Sequence, residues 1–172
     1  MSSTDRIEKK VVIAAPQSRV WRAIADAKEF GAWFGFELEG PFAPGQTVRG
    51  RFDESKLDKP MIMAAQERAG VKPVDVRMPP DSVFCTVERI EPERYFSFRW
   101  HPFGIDVTAD LANEPTTLVE LALEKSGDGT LLTIVESGFD RIPEERRARA
   151  FRMNQGGWAA QAENIRKYVE SR

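Results

Sequence analysis

Glu136 is the residue of this chain whose type and position could do the most chemistry. On the segment Thr130 to Ser137 it shares a face with Leu132 and Ile134, so strand alternation turns its carboxylate inward among apolar side chains. An unpaired carboxylate there is costly and must be paired, protonated or left beside water. Two roles follow. The first is structural, an ion pair or hydrogen bond that pins the strand end to whatever covers it. The second is a carboxylate that orients a ligand or transfers a proton.

Other residues bear on the same question. Gly156-Gly157 sits in the middle of a helical pattern, where each glycine costs about 1 kcal/mol against alanine. Close backbone packing or a helix bend would account for the pair; a bend could also leave room for a ligand and let the helix move as a lid. Gln155 falls on the apolar stripe of that helix and predicts a polar spot inside, with Asn154 beside it. Trp33, Phe34, Phe36, Phe96, Phe98, Trp100 and Trp158 are dense enough to line a pocket for an aromatic guest, although aromatics so spaced more often build plain core.

Some chemistries are argued against. Cys85 points with the apolar set of its strand, whereas His101 points to the other face of its own, which opposes a nucleophile–base pair. One histidine and one cysteine make no ligand cluster, so no metal is expected. No G-x-G-x-x-G or P-loop pattern calls for a nucleotide, and no cofactor is expected. Arg146, Arg147, Arg149 and Arg152 read as a solvated face balanced by Glu144 and Glu145, with a partner-docking patch as the alternative.

The elements that position these residues alternate clearly. Ile7 to Ala14 reads as a strand, and Pro16 as the first residue of a helix carrying Val20, Trp21 and Ile24. Asp26 with Glu29 forms a capping box, so a second short helix carries Phe30, Trp33 and Phe34. Glu37 to Phe52 contains two short strands around a turn at Pro44-Gly45. Residues 53–80 read as an inserted excursion with a short helix near Ile62 to Ala69. Ser82 to Ile90 places Val83, Cys85 and Val87 on one face; Arg94 to His101 places Phe96, Phe98 and Trp100 on one side. Thr116 to Glu124 turns Val119, Leu121 and Leu123 inward, and Ser126 to Gly129 is a hairpin turn. After Ile142-Pro143-Glu144-Glu145 a long helix follows, with Phe151, Gln155, Trp158, Ala162, Ile165 and Val169 on a single stripe. The fold class is α+β: a curved antiparallel sheet wrapped around a long C-terminal helix, with two short helices after strand 1.

Composition bounds the partners. The chain of 172 residues fits one domain, 1–172, and its 41% hydrophobic and 30% charged residues are the balance of a soluble protein. No apolar run approaches the roughly 18 residues of a membrane helix, so no membrane partner is expected. The polar first ten residues lack the apolar core of a secretory signal, and a lone cysteine suits a reducing, cytoplasmic setting. The net charge of -2 argues against nucleic acid.

Several motifs carry a resemblance. Ala15-Pro16 leading to Val20-Trp21, then Phe30 to Trp33-Phe34, is similar to the opening of the START-like, or SRPBCC, superfamily. Arg99-Trp100-His101-Pro102, Glu136-Ser137-Gly138-Phe139-Asp140 and Asn154-Gln155-Gly156-Gly157-Trp158 resemble the branch named for homology to the activator of heat-shock protein 90 ATPase. The resemblance spans nearly the whole chain, with 53–80 departing from it, and implies the helix-grip fold and binding of small apolar ligands. Fold alone does not fix activity. The leading expectation is a domain, more a binder than an enzyme, that encloses a small apolar or aromatic molecule between sheet and helix. The alternatives are a co-chaperone-like interaction module with a chaperone partner, and an aromatase/cyclase-like enzyme using Glu136.

Overall fold

The computed structural model describes residues 6–52, 59–68, 70, 83–102 and 115–171. β1 (Arg6–Ile13) leads into α1 (Gln17–Ala25) and α2 (Ala27–Phe34). Pro16 is the N-cap of α1, one position outside the helix it was expected to begin. Asp26 caps α2 as expected, its side chain accepting from the Glu29 amide at 3.0 Å. The left-handed Gly35 (φ 92°) ends α2 and turns the chain into β2 (Phe36–Leu38).

β3 (Thr47–Phe52) follows a turn in which the Gln46 amide donates to Ala43 O at 2.9 Å, with Gly45 at positive φ. Within the expected excursion, α3 (Lys59–Arg68) covers residues 62–68 of the short helix predicted near Ile62 to Ala69, and it touches the C-terminal helix. Residues 53–58, 69 and 71–80, the rest of that excursion, lie outside the described residues. β4 (Val83–Glu91), β5 (Tyr95–Trp100), β6 (Thr117–Ser126) and β7 (Gly129–Ser137) form an antiparallel meander, and β1 closes on β7. The seven strands run β1-β7-β6-β5-β4-β3-β2 in one curved sheet.

One strand differs from its expected facing. Val83 is 47% exposed, whereas Phe84 and Cys85 are both buried. The β3–β4 register shifts where Val48 pairs with Cys85 and Arg49 with Val83, leaving Phe84 as an extra residue. Such a bulge breaks the two-residue alternation and lets adjacent side chains turn inward.

α4 (Glu144–Glu170) is 27 residues long, about 40 Å of helix. Its buried positions are Ala150, Phe151, Asn154, Trp158, Ala162, Ile165 and Val169, the expected stripe with Ala150 added and with Gln155 exposed and Asn154 in its place. α4 packs on β1, α1 and α2. Its far end is fastened by Tyr168, whose hydroxyl donates to Glu29 at 3.0 Å, and Arg19 donates to the same oxygen at 2.9 Å.

Close backbone packing does not explain Gly156 and Gly157. Both are exposed, and a Cβ built on either would meet nothing within 4 Å. Gly156→Ala and Gly157→Ala are therefore each expected to stabilise the fold by about 1 kcal/mol, read as a raised urea midpoint at constant slope. A lowered midpoint would show that these positions need glycine in the folded state.

Candidate functional site

Strand alternation places Glu136 inward on β7, fully buried at 0% exposure. Its carboxylate meets four donors from three other elements. On one oxygen, Oε2, the Trp100 indole donates at 2.8 Å and the Thr117 hydroxyl at 2.5 Å. On Oε1, the Asn154 amide nitrogen donates at 2.7 Å and the Trp158 indole at 2.8 Å. An ionised carboxylate offers about four lone-pair sites, so all of them are occupied.

The local sequence accounts for this convergence. Trp100 and Thr117 are direct partners across β5 and β6, so they present side by side on one face. Asn154 and Trp158 are four apart on α4 and share one side of the helix. The sheet pair serves one oxygen and the helix pair the other. Glu136 thereby ties α4 to three central strands.

The electrostatics are opposed. Burial pushes the Glu136 carboxyl above the ordinary carboxylate value, while hydrogen bonds from Thr117, Trp100, Asn154 and Trp158 pull it back; burial wins. No cation touches the carboxylate within these contacts. With Asn154 Nδ2 turned to Oε1, the Thr117 hydroxyl oxygen is the one donor atom of the four that can also accept, so a proton on Glu136 belongs on Oε2, facing Thr117.

Aromatic rings surround the cluster. Trp100 and Trp158 lie 5.6 Å apart, and Phe34 is 5.9 Å from each. Phe36 and Phe98 extend this surface at 5.2 Å from Phe34 and 5.5 Å from Trp100. Phe84 belongs to it as well, 5.7 Å from Trp100, although the bulge hid it from alternation. Two expected members stand further back. The Trp33 indole donates to Ala23 O at 2.9 Å and so pins α2 to α1. Phe96 packs against Phe42 in a tilted pair at 5.0 Å.

Gln155, an expected site residue, is turned to solvent rather than placed on the buried stripe. Thr117 and Asn154 are the site residues that sequence reasoning left out of the set. Thr117 had a signal, since it extends the inward series Val119, Leu121 and Leu123 by one step. Cys85 is buried, and burial pushes its thiol up to about 12, so it carries no thiolate at neutral pH. In the basic run, Arg147 donates to Ile142 O at 3.2 Å and Asp140 O at 2.9 Å, holding the turn before α4. A separate groove of about 300 Å³ opens beside Ala25, Lys28, Leu38 and Phe42, away from Glu136.

A sheet that grips a long helix over a buried carboxylate and an aromatic surface defines the helix-grip class. The chain belongs to the family described as activator of Hsp90 ATPase homolog 1-like protein, whose model matches residues 14–170. Solved structures share the fold. MLL2253 from Mesorhizobium loti is 19% identical with a TM-score of 0.64, over 96% of this chain and 97% of that one. CalU16 from Micromonospora echinospora is 20% identical with a TM-score of 0.57, over 95% and 75% respectively. DynU16, from the dynemicin biosynthetic locus, is 20% identical with a TM-score of 0.62; 97% of this chain is covered but it spans about half, 48%, of that protein. No curated protein matches the chain. Among the described residues, no helix is long and apolar enough to cross a membrane.

Two outcomes follow from the cluster. In Glu136→Gln the amide NH2 must face two donors, leaving at least one buried N–H unpaired, which costs about 1–3 kcal/mol each. Chemical denaturation should show a loss in that range, and an unchanged midpoint would remove the structural role. The pH sign also follows. An unfolded glutamate releases its proton near 4.5, whereas folded Glu136 keeps it to higher pH. Its contribution is thus fully present below pH 4.5 and declines as pH rises through the folded value. Subtracting the Glu136→Gln stability profile from that of the parent protein should give a difference that falls with pH; a rising difference would reverse the sign of the shift.

Proposed function

We propose that the protein binds a small, largely apolar or aromatic molecule between α4 and the concave face of the sheet. The observation that carries this reading is the joining of a buried polar cluster to a continuous aromatic surface beneath one helix. Binding sites for small molecules combine apolar, aromatic walls with a few convergent polar groups. Phe34, Phe36, Phe84, Trp100 and Trp158 supply the first, and Glu136 with its donors the second. Family membership supports the same reading.

Catalysis by Glu136 is the weaker reading. Each of its acceptor positions is filled, so a substrate proton would have to displace a donor first. A co-chaperone role rests on the family's name alone.

A ligand of about 20 heavy atoms at about 0.3 kcal/mol per atom would bind with about 6 kcal/mol, in the tens-of-micromolar range. At a hundredfold excess over Kd, linkage adds about 2.7 kcal/mol, or roughly 5–10 °C in Tm for a chain of this size. Native mass spectrometry of protein from its own host should reveal a retained small molecule, and that molecule should raise Tm by this amount. Protein that carries nothing, and shows no shift with sterols, aromatic polyketides and fatty acids at millimolar concentration, would overturn the reading.

A further inference from the structure

The amide of Asn154 is only half satisfied. Asn154 is 2% exposed, and its nitrogen is committed to Glu136, but its oxygen Oδ1 is buried with no hydrogen-bond partner among the described residues. The carboxylate fixes which end of the amide points where. Turning it over would set Oδ1 against Oε1, acceptor against acceptor, and would break the 2.7 Å hydrogen bond. The unpaired acceptor is therefore a consequence of the Glu136 cluster itself.

A buried amide oxygen without a donor is unfavourable, and native proteins supply one from a side chain, a water or a ligand. Every donor touching Glu136 is already spent on the carboxylate: two indole N–H groups, one hydroxyl and one amide N–H. Trp158, one turn along α4 from Asn154, carries the aromatic surface to this point, with Trp100 against it. The unpaired acceptor of the cluster is thus Asn154 Oδ1, buried beside a carboxyl group, and no cation is among the groups hydrogen-bonded to Glu136.

From this we infer that Asn154 Oδ1 is the specificity-determining acceptor of the site, and that its ligand is a neutral aromatic or apolar molecule bearing a hydroxyl donor, not a carboxylate. This inference rests on the proposed binding of a small apolar molecule and adds which polar group that molecule carries. A hydroxyl donates to Oδ1 and removes the unpaired acceptor. A methyl group in its place leaves Oδ1 unpaired. A ligand carboxylate brings acceptor against acceptor beside a second buried carboxyl, and is rejected.

Three probes of one shape separate these cases: 2-naphthol, 2-methylnaphthalene and 2-naphthoate, titrated calorimetrically at neutral pH. The expected order is naphthol tightest, by about tenfold over methylnaphthalene, with naphthoate weakest. Asn154→Leu also removes a donor from Glu136 and should weaken both probes, but the ratio of naphthol to methylnaphthalene affinity should fall to about one. Should that variant fail to fold, the side-chain amide resonance of Asn154 in the unaltered protein provides the readout: it should shift with naphthol and not with methylnaphthalene. Equal binding of naphthol and methylnaphthalene would overturn the inference and assign Oδ1 to a bound water, leaving the binding role intact. Preference for naphthoate would overturn it outright. Binding of none of the three at millimolar concentration would remove the binding role for ligands of this kind, and the inference with it.

Discussion

A single buried carboxylate holds this architecture in register. Glu136 draws β5, β6, β7 and α4 to one point, and it does so with donors from neutral groups alone. An apolar stripe would by itself tolerate a helix displaced by one turn, because aliphatic and aromatic contacts are weakly directional. The Asn154 and Trp158 donors do not tolerate it. A shift of one turn, about 5.4 Å, would pull both away from Oε1 and leave three polar groups buried without partners. The polar cluster therefore fixes where the helix lies, while the surrounding rings and aliphatic residues supply most of the burial.

The far end of α4 is seated by similar means. Tyr168 and Arg19 share one oxygen of Glu29, and Glu170 accepts from the Ala14 amide at 2.9 Å. These contacts tie the helix to α2, to α1 and to the chain just beyond β1. They are half-buried or exposed, so each contributes less than the interior cluster. Within the interior anchor, between Asn154 and Trp158, lie Gly156 and Gly157, turned outward. Their lack of close neighbours separates them from the packing argument and leaves backbone freedom as their physical property.

Much of this was legible in residue order, and what was missed has identifiable causes. Alternation with Leu132 and Ile134 placed Glu136 inward, and the long stripe of α4 placed a helix over the sheet. Asn154 and Gln155 could not be separated by periodicity. A step of three or of four from Phe151 both keep to one helical face, and only the position of the carboxylate decides between them. Phe84 was lost for a different reason: a bulge is a property of pairing between two strands, and one strand's pattern does not record it. The four-donor arrangement was equally hidden, since it needs the register of β5 on β6 and of α4 on β7 at once.

These features also constrain what the site can do. A general base needs a lone pair directed at its substrate, and Glu136 has committed all of its own to the fold. Freeing one would unseat a strand or the helix, a cost that any ligand would have to offset. The proposed recognition carries no such cost, because the acceptor left over by the cluster is the Asn154 oxygen, which makes no hydrogen bond that holds α4. The same interaction that seats the helix thus leaves the amide oxygen beside it unpaired. In the proposed binding role, the carboxylate would hold the frame and the unpaired amide oxygen beside it would face the ligand.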